Sequence, residues 1–150
     1  MGVLSNLSEE IKNAMLAKDS VKLESLRAIK SAVLLAETSS GSSGKLSDQE
    51  AIKLLQRLVK QRKDSASIFK EQNRLDLAEH EEGQAKVISA FLPTQFTDKE
   101  IESAIAVIIE TIEANGMKDM GKVMGIASKK LEGKADGKRI SDIVKKKLGA

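Results

Sequence analysis

Hydrophobic residues recur every three or four positions along most of the chain, which is the spacing of one face of an α-helix. A first pattern covers residues 3–17 and a second covers 23–36, with a polar break at 18–20 between them. The spacing therefore predicts two helices at the start of the chain.

Two longer patterns follow and predict an antiparallel helical hairpin. The first begins with Ser47 and Glu50 in the arrangement of a capping box, in which each side chain bonds to the backbone of the other residue. It continues to Phe69, and after a break near Asn73 the second pattern extends to Leu92. Two such helices with a short connection fold back on each other.

A charged residue interrupts each of these two apolar stripes at matching depth. The predicted register brings Arg62 towards Glu82 or Glu81 and places Leu55 near Leu92. The two charges have opposite sign, so they form either a structural ion pair that fixes the register or a polar site that faces a ligand. The sequence leaves both interpretations open.

A boundary between helical units is expected at Leu92 and Pro93, because a residue before proline is disfavoured in the helical conformation. A second capping box at Thr97 and Glu100 opens the next helix, and two short amphipathic patterns complete the chain. The prediction is all-α: an N-terminal helical domain, 1–92, containing the long antiparallel hairpin, and a three-helix C-terminal bundle, 93–150.

The amino-acid composition limits the kinds of catalytic and metal sites that the chain can form. The chain has no cysteine and one histidine, which excludes disulfides and the usual zinc sites. His80 is flanked by glutamates, so we interpret it as a solvated helix residue and not as a general base. No nucleophile with an adjacent base and no phosphate-binding P-loop can be assembled. We expect no catalytic residues, cofactor or metal within this chain.

Two further expectations concern location and order. The first 17 residues lack an apolar signal core, and the apolar runs are too short for a membrane span, so a cytoplasmic protein is predicted. The serine- and glycine-rich segment 39–44 offers nothing to bury and is predicted to be a mobile loop.

Positive charge is concentrated at the C-terminus. Residues 117–150 contain ten basic and four acidic residues, an excess of +6, whereas 93–116 have −4 and 1–92 have +1. Glycines among the lysines permit close approach of a phosphate, and at most two of the three lysines at 145–147 share one side. The alternative, a solvated face without a ligand, remains open, since no aromatic residues alternate with the lysines. The candidate nucleic-acid-binding residues are Lys118, Gly121, Lys122, Lys129, Lys130, Gly133, Lys134, Lys138, Arg139, Lys145 and Lys146.

The segments DMGKVMG at 119–125 and GKADGK at 133–138 resemble the GatB/YqeY family. Five further blocks and the boundary at 91–93 also look like the YqeY pattern, so the resemblance covers nearly the whole chain. It departs from that pattern at Phe91, where a tyrosine is usual, and in the loop 39–44. The supporting blocks lie at 17–19, 26–27, 31–32, 61–65 and 74–78.

This family includes free-standing bacterial YqeY-type proteins and the tail of the B subunit of glutamine-dependent aminoacyl-tRNA amidotransferase. The resemblance implies a tRNA-binding accessory module. Its partners would be tRNA and either such an amidotransferase or an aminoacyl-tRNA synthetase. The associated activity, a carbon–nitrogen ligase with glutamine as amido-N-donor, would reside in a complex. The alternative is a protein-interaction adaptor without direct RNA contact.

Overall fold

The computed structural model describes residues 2–39 and 44–149. The described part is all-α, as predicted, and contains seven α-helices and no strand. The predicted mobile loop at 39–44 lies largely outside the described residues. The helices are α1 Leu7–Ala17, α2 Ser20–Thr38, α3 Asp48–Glu71, α4 Leu75–Ser89, α5 Asp98–Ile112, α6 Met120–Lys130 and α7 Gly137–Gly149, with a 3₁₀ turn at Met117–Asp119 before α6.

The polar break between α1 and α2 ends one helix and begins the next. Lys18 adopts a left-handed conformation with φ of 54°, which stops α1. Asp19 then caps α2, its carboxylate accepting a hydrogen bond from the backbone N–H of Lys22 at 3.1 Å. A side-chain acceptor at this position satisfies an amide that has no partner within the helix.

Helices α3 and α4 pack against each other more extensively than any other pair. The predicted capping box at the start of α3 is confirmed: Ser47 N–H donates to Glu50 at 2.8 Å, and Glu50 N–H donates to the Ser47 hydroxyl at 3.2 Å. The predicted break is also confirmed, with Asn73 in a left-handed conformation between the two helices.

The predicted approach of Arg62 to Glu82 is wrong. Arg62 Nε donates instead to the Gln84 side-chain oxygen at 3.2 Å, and Glu82 forms an ion pair with Lys70. Gln84 lies half a turn from Glu82, on the buried side of α4. The charged glutamate stays in solvent because a buried carboxylate is costly, and a neutral amide meets the arginine in its place.

The chain divides into two compact units, with the division after Pro93. The core of the first unit is formed by α1 to α4 and is aliphatic. Leu26 and Ile29 from α2 lie fully buried with Leu55 from α3 and Ile88 from α4.

The second unit begins at Thr94 and is built from α5, α6 and α7. The second predicted capping box is confirmed, with Thr97 and Glu100 bonded reciprocally at the start of α5. Ile105 of α5, Val123 of α6 and Val144 of α7 are fully buried in its core. Within the two described segments, no helix combines the length and apolar content needed to cross a membrane.

Candidate nucleic-acid interface

The start of α6 is not a free helix N-terminus. The 3₁₀ turn precedes it directly, and Met120 N–H donates to the carbonyl of Met117. Asp119 places a carboxylate at this point, where it accepts from Asn115 N–H at 2.8 Å. A phosphate here would meet a negative charge. The Asp119 carboxylate therefore disfavours phosphate binding at the start of α6.

The exposed side of α6 is the open part of this region. Gly121 and Gly125 lie one turn apart, and apart from the helix's own backbone a Cβ atom at either position would have no atom within 4 Å. Internal packing therefore does not require glycine at these positions. With Ile126, whose exposed fraction is 39%, they form the floor of a shallow groove of about 560 Å³.

Three lysines border this groove, which we call the α6 groove. Lys122, Lys129 and Lys130 complete its lining, and no acidic residue contributes to it. None of the three forms an ion pair with a residue in the described part of the chain. The opposite side of α6 carries the buried Val123 and Ala127, which fix the orientation of the helix. The result is a positively charged groove with backbone accessible along its floor.

Gly133 has a structural role. It is buried, its φ is 77°, and its carbonyl accepts from the Gln95 side-chain amide at 2.8 Å. A positive φ strains any residue with a Cβ atom, so this turn accounts for the glycine. Gly137 instead begins α7 and is not among the glycines with positive φ. Of these two glycines, only Gly133 supplies a turn that requires glycine.

The next two predicted residues are partly engaged within the second unit. The Lys134 ammonium lies 5.6 Å from the centre of the Phe96 ring, within the range of a cation–π interaction. Arg139 Nε donates to the Asp98 carboxylate at 3.1 Å. Asp98 offsets much of the arginine's charge, so Arg139 is a weaker phosphate ligand than an unpaired lysine.

The remaining lysines are exposed but lie outside the α6 groove. Lys118 is in the 3₁₀ turn, Lys138 is in the first turn of α7, and Lys145 and Lys146 are near its end. Lys147 lines a separate groove that also contains glutamates from α5. Among the predicted residues, the structure thus brings together Gly121, Lys122, Lys129 and Lys130.

The patterns of charge and glycine in the sequence do not indicate Ile126 as a site residue. The signal was present in the spacing. Ile126 follows Lys122 by four residues, so helical periodicity places it beside that lysine, at the edge of the face that carries Val123 and Ala127.

Comparison with known proteins gives a family and three informative relatives. The model of the family described as Yqey-like protein matches residues 4–148. The chain is 34% identical over 116 residues to Altered inheritance of mitochondria protein 41, mitochondrial, of Clavispora lusitaniae, covering 75% of this chain and 66% of the relative. The protein of the same name from Pyrenophora tritici-repentis is 29% identical over 99% of this chain and 82% of its own length.

The third relative is a glutamyl-tRNA(Gln) amidotransferase subunit from Thermococcus gammatolerans. It is 41% identical over 86 residues, which are 54% of this chain and 13% of that larger protein. The shared segment is thus a small part of the relative. It relates the chain to an amidotransferase component without extending over most of that component.

The predicted cytoplasmic location is contradicted by these comparisons. Several relatives, including the first two described above and one from Lachancea thermotolerans, are named as mitochondrial proteins. Composition gave no means of choosing, because a charged helical surface suits any aqueous compartment. The match over residues 4–148 establishes the family: this chain belongs to the Yqey-like proteins.

Proposed function

We propose that the chain is a tRNA-binding accessory module and that the α6 groove contacts the RNA backbone. The observation that carries this proposal is the combination of three unpaired lysines with two glycines that internal packing does not require. Glycine in a helix interior, as at Gly125, destabilises the helix by about 1 kcal/mol relative to alanine. An approaching phosphate backbone would account for both glycines and the lysines.

The chemistry of the groove favours recognition of the phosphate backbone over recognition of bases. Its lining contains lysines, glycines and one isoleucine but no aromatic ring on which a base could stack. Lysine ammonium groups bind phosphate as point charges and carry no base specificity. In this proposal the groove supplies affinity and orientation, and identification of a particular tRNA depends on a partner.

The proposed setting is glutamine-dependent tRNA amidation. Support comes from the relative named as a glutamyl-tRNA(Gln) amidotransferase subunit. The activity would reside in a complex, with this chain helping to hold the tRNA. The partner in this proposal is an amidotransferase or an aminoacyl-tRNA synthetase.

The test compares two triple variants with equal loss of charge. Replacing Lys122, Lys129 and Lys130 by Gln removes the positive charge of the groove. Replacing the exposed Lys30, Lys60 and Lys63 by Gln is the matched control in the first unit. We expect the groove variant to bind labelled tRNA at least tenfold more weakly than wild type in a fluorescence anisotropy titration. The control should bind within about twofold of wild type, and both should keep the helical circular dichroism spectrum.

Equal tRNA affinity of the two triple variants would contradict the proposal. In that case the exposed Ile126 and the adjoining glycines would instead suit docking of a protein helix. That result would support the adaptor interpretation, in which the lysines serve solubility.

A further inference from the structure

One nitrogen of the only histidine faces two groups with opposite requirements. His80 Nε2 lies 3.2 Å from the side-chain nitrogen of Gln84 and 3.4 Å from a carboxylate oxygen of Glu24. An amide nitrogen donates, so it needs a ring nitrogen with a free lone pair. A carboxylate accepts, so it needs a ring nitrogen that carries a proton.

Gln84 cannot avoid this conflict by turning its amide over. Arg62 Nε donates to the Gln84 oxygen at 3.2 Å, so a reversed amide would set two donors against each other. Only 6% of Gln84 is exposed, so its amide nitrogen has little access to water. The neutral ring satisfies this buried donor when Nε2 is the acceptor and the proton is on Nδ1.

Glu24 is in the opposite situation. Its side chain is 60% exposed, so water solvates the carboxylate when the histidine is neutral. In that state Gln84 has the stronger need for Nε2. When the ring is protonated, both nitrogens are donors, and Nε2–H finds its acceptor in Glu24 while Gln84 loses its own.

We propose that His80 is a proton-operated switch that exchanges Gln84 for Glu24 as its partner. Histidine is the side chain that ordinarily changes charge between pH 5 and 8. The charged groups near it include Glu24 from α2 and Arg62 from α3, which acts through Gln84. On α4 itself they are the flanking Glu79 and Glu81 and, one turn earlier, Asp76, which is bonded to Arg74.

The exchange changes which helices are linked. The bond to Gln84 lies within α4, whereas the ion pair with Glu24 joins α4 to α2. These two helices already pack closely beside the switch, where a Cβ atom on Gly83 would lie 3.5 Å from Val21. Protonation of the ring therefore adds a link between α2 and α4 and leaves the amide of Gln84 without its acceptor.

Nuclear magnetic resonance of the ring nitrogens tests the neutral state, and a single histidine makes the assignment unambiguous. At pH 8 we expect the tautomer with the proton on Nδ1. When acid protonates the ring, the side-chain amide signal of Gln84 should shift. A ring with the proton on Nε2 at pH 8 would overturn the proposal.

Hydrogen exchange tests the consequence for the fold. After correction for intrinsic rates, amides of α2 should exchange about twofold to threefold more slowly in wild type than in Glu24→Gln at pH 5.5, the range expected for an exposed ion pair, and equally in the two proteins at pH 8. The same comparison made in a His80→Gln background should show no difference at either pH, and Glu9→Gln on α1 is the control that leaves α2 exchange unchanged. Equal exchange of wild type and Glu24→Gln at pH 5.5 would refute the switch.

Discussion

The two units of this chain differ in the ion pairs that their basic side chains form. In the first unit, three of the basic side chains form ion pairs: Lys22 with Glu10 at 3.0 Å, Lys70 with Glu82, and Arg74 with Asp76 at 3.2 Å. In the second unit, the three lysines of the α6 groove have no acidic partner in the described part of the chain.

In our proposal, this difference separates charges that contact the protein's own side chains from charges that bind a partner. A paired surface charge is largely neutralised locally and adds little to stability. Unpaired lysines grouped on one helix repel each other and raise the local potential, which attracts an anionic ligand. The net charge of the whole chain, +3, does not reveal this asymmetry.

The largest expected effect comes from the two cores. Leu55 and Ile105 are both fully buried, one in each unit. Replacing either by Ala should lower the free energy of unfolding by about 2–5 kcal/mol, through lost burial and the cavity left behind. We propose that the units unfold separately, so each change should affect the amide-exchange protection of its own unit. Equal loss in both units for both variants would contradict separate unfolding.

A pair of glycine substitutions should have effects of opposite sign. Gly133→Ala forces a Cβ atom into a left-handed conformation and should destabilise the second unit by roughly 1–2 kcal/mol. Gly125→Ala adds a methyl group that contacts nothing beyond the backbone of α6, so it should stabilise this helix by up to about 1 kcal/mol. The same change should weaken tRNA binding, because the new methyl group covers the groove. Thermal unfolding and tRNA titration measure the two effects, and tighter binding by Gly125→Ala would contradict the proposed backbone approach.

The two capping boxes allow a matched comparison of helix starts. Ser47→Ala and Thr97→Ala each remove one hydroxyl that accepts from a backbone N–H, at 3.2 Å in both cases. Each change should cost about 1 kcal/mol. Chemical denaturation should locate the loss in the first unit for Ser47 and in the second for Thr97. A loss of stability in the other unit would contradict separate unfolding of the two units.

The smallest effect is a response of the first unit to acid. The Ser47 backbone N–H, followed by its hydroxyl, lowers the pKa of Glu50, and the hydrogen bond from Arg74 lowers that of Asp76. A carboxyl whose pKa is lower in the folded state stabilises the fold above its unfolded pKa, and this contribution is lost as pH falls through the lowered value. Glu50→Gln and Asp76→Asn should therefore flatten the acid side of the stability profile slightly. An unchanged profile in the double variant would exclude this contribution.

Several features of the fold were readable from the sequence because they depend on local chemistry. Both capping boxes and the turn at Asn73 follow from short-range hydrogen bonding and backbone preference. The partner of Arg62 could not be predicted from local chemistry. A difference of half a helical turn decides between Glu82 and Gln84, and burial selects the neutral side chain.

The candidate interface could also be predicted only in part from the sequence. The sequence alone does not distinguish Gly133, which has a positive φ in a turn, from Gly121 and Gly125, which lie on the exposed face of a helix. The 3₁₀ turn that occupies the start of α6 also left no clear mark in the hydrophobic pattern, since it spans three residues. The lysines were identifiable from sequence, but their grouping required the orientation of α6 about its buried side.

The most direct test of the central claim is the salt dependence of tRNA binding by wild type and the two triple-lysine variants. Each lysine–phosphate contact adds roughly 0.7–0.9 to the slope of log K against log salt. The claim predicts that the variant lacking Lys122, Lys129 and Lys130 has a slope smaller by about 2–3, while the variant lacking Lys30, Lys60 and Lys63 keeps the wild-type slope. Equal slopes for all three proteins would show that the α6 groove does not contact RNA phosphates.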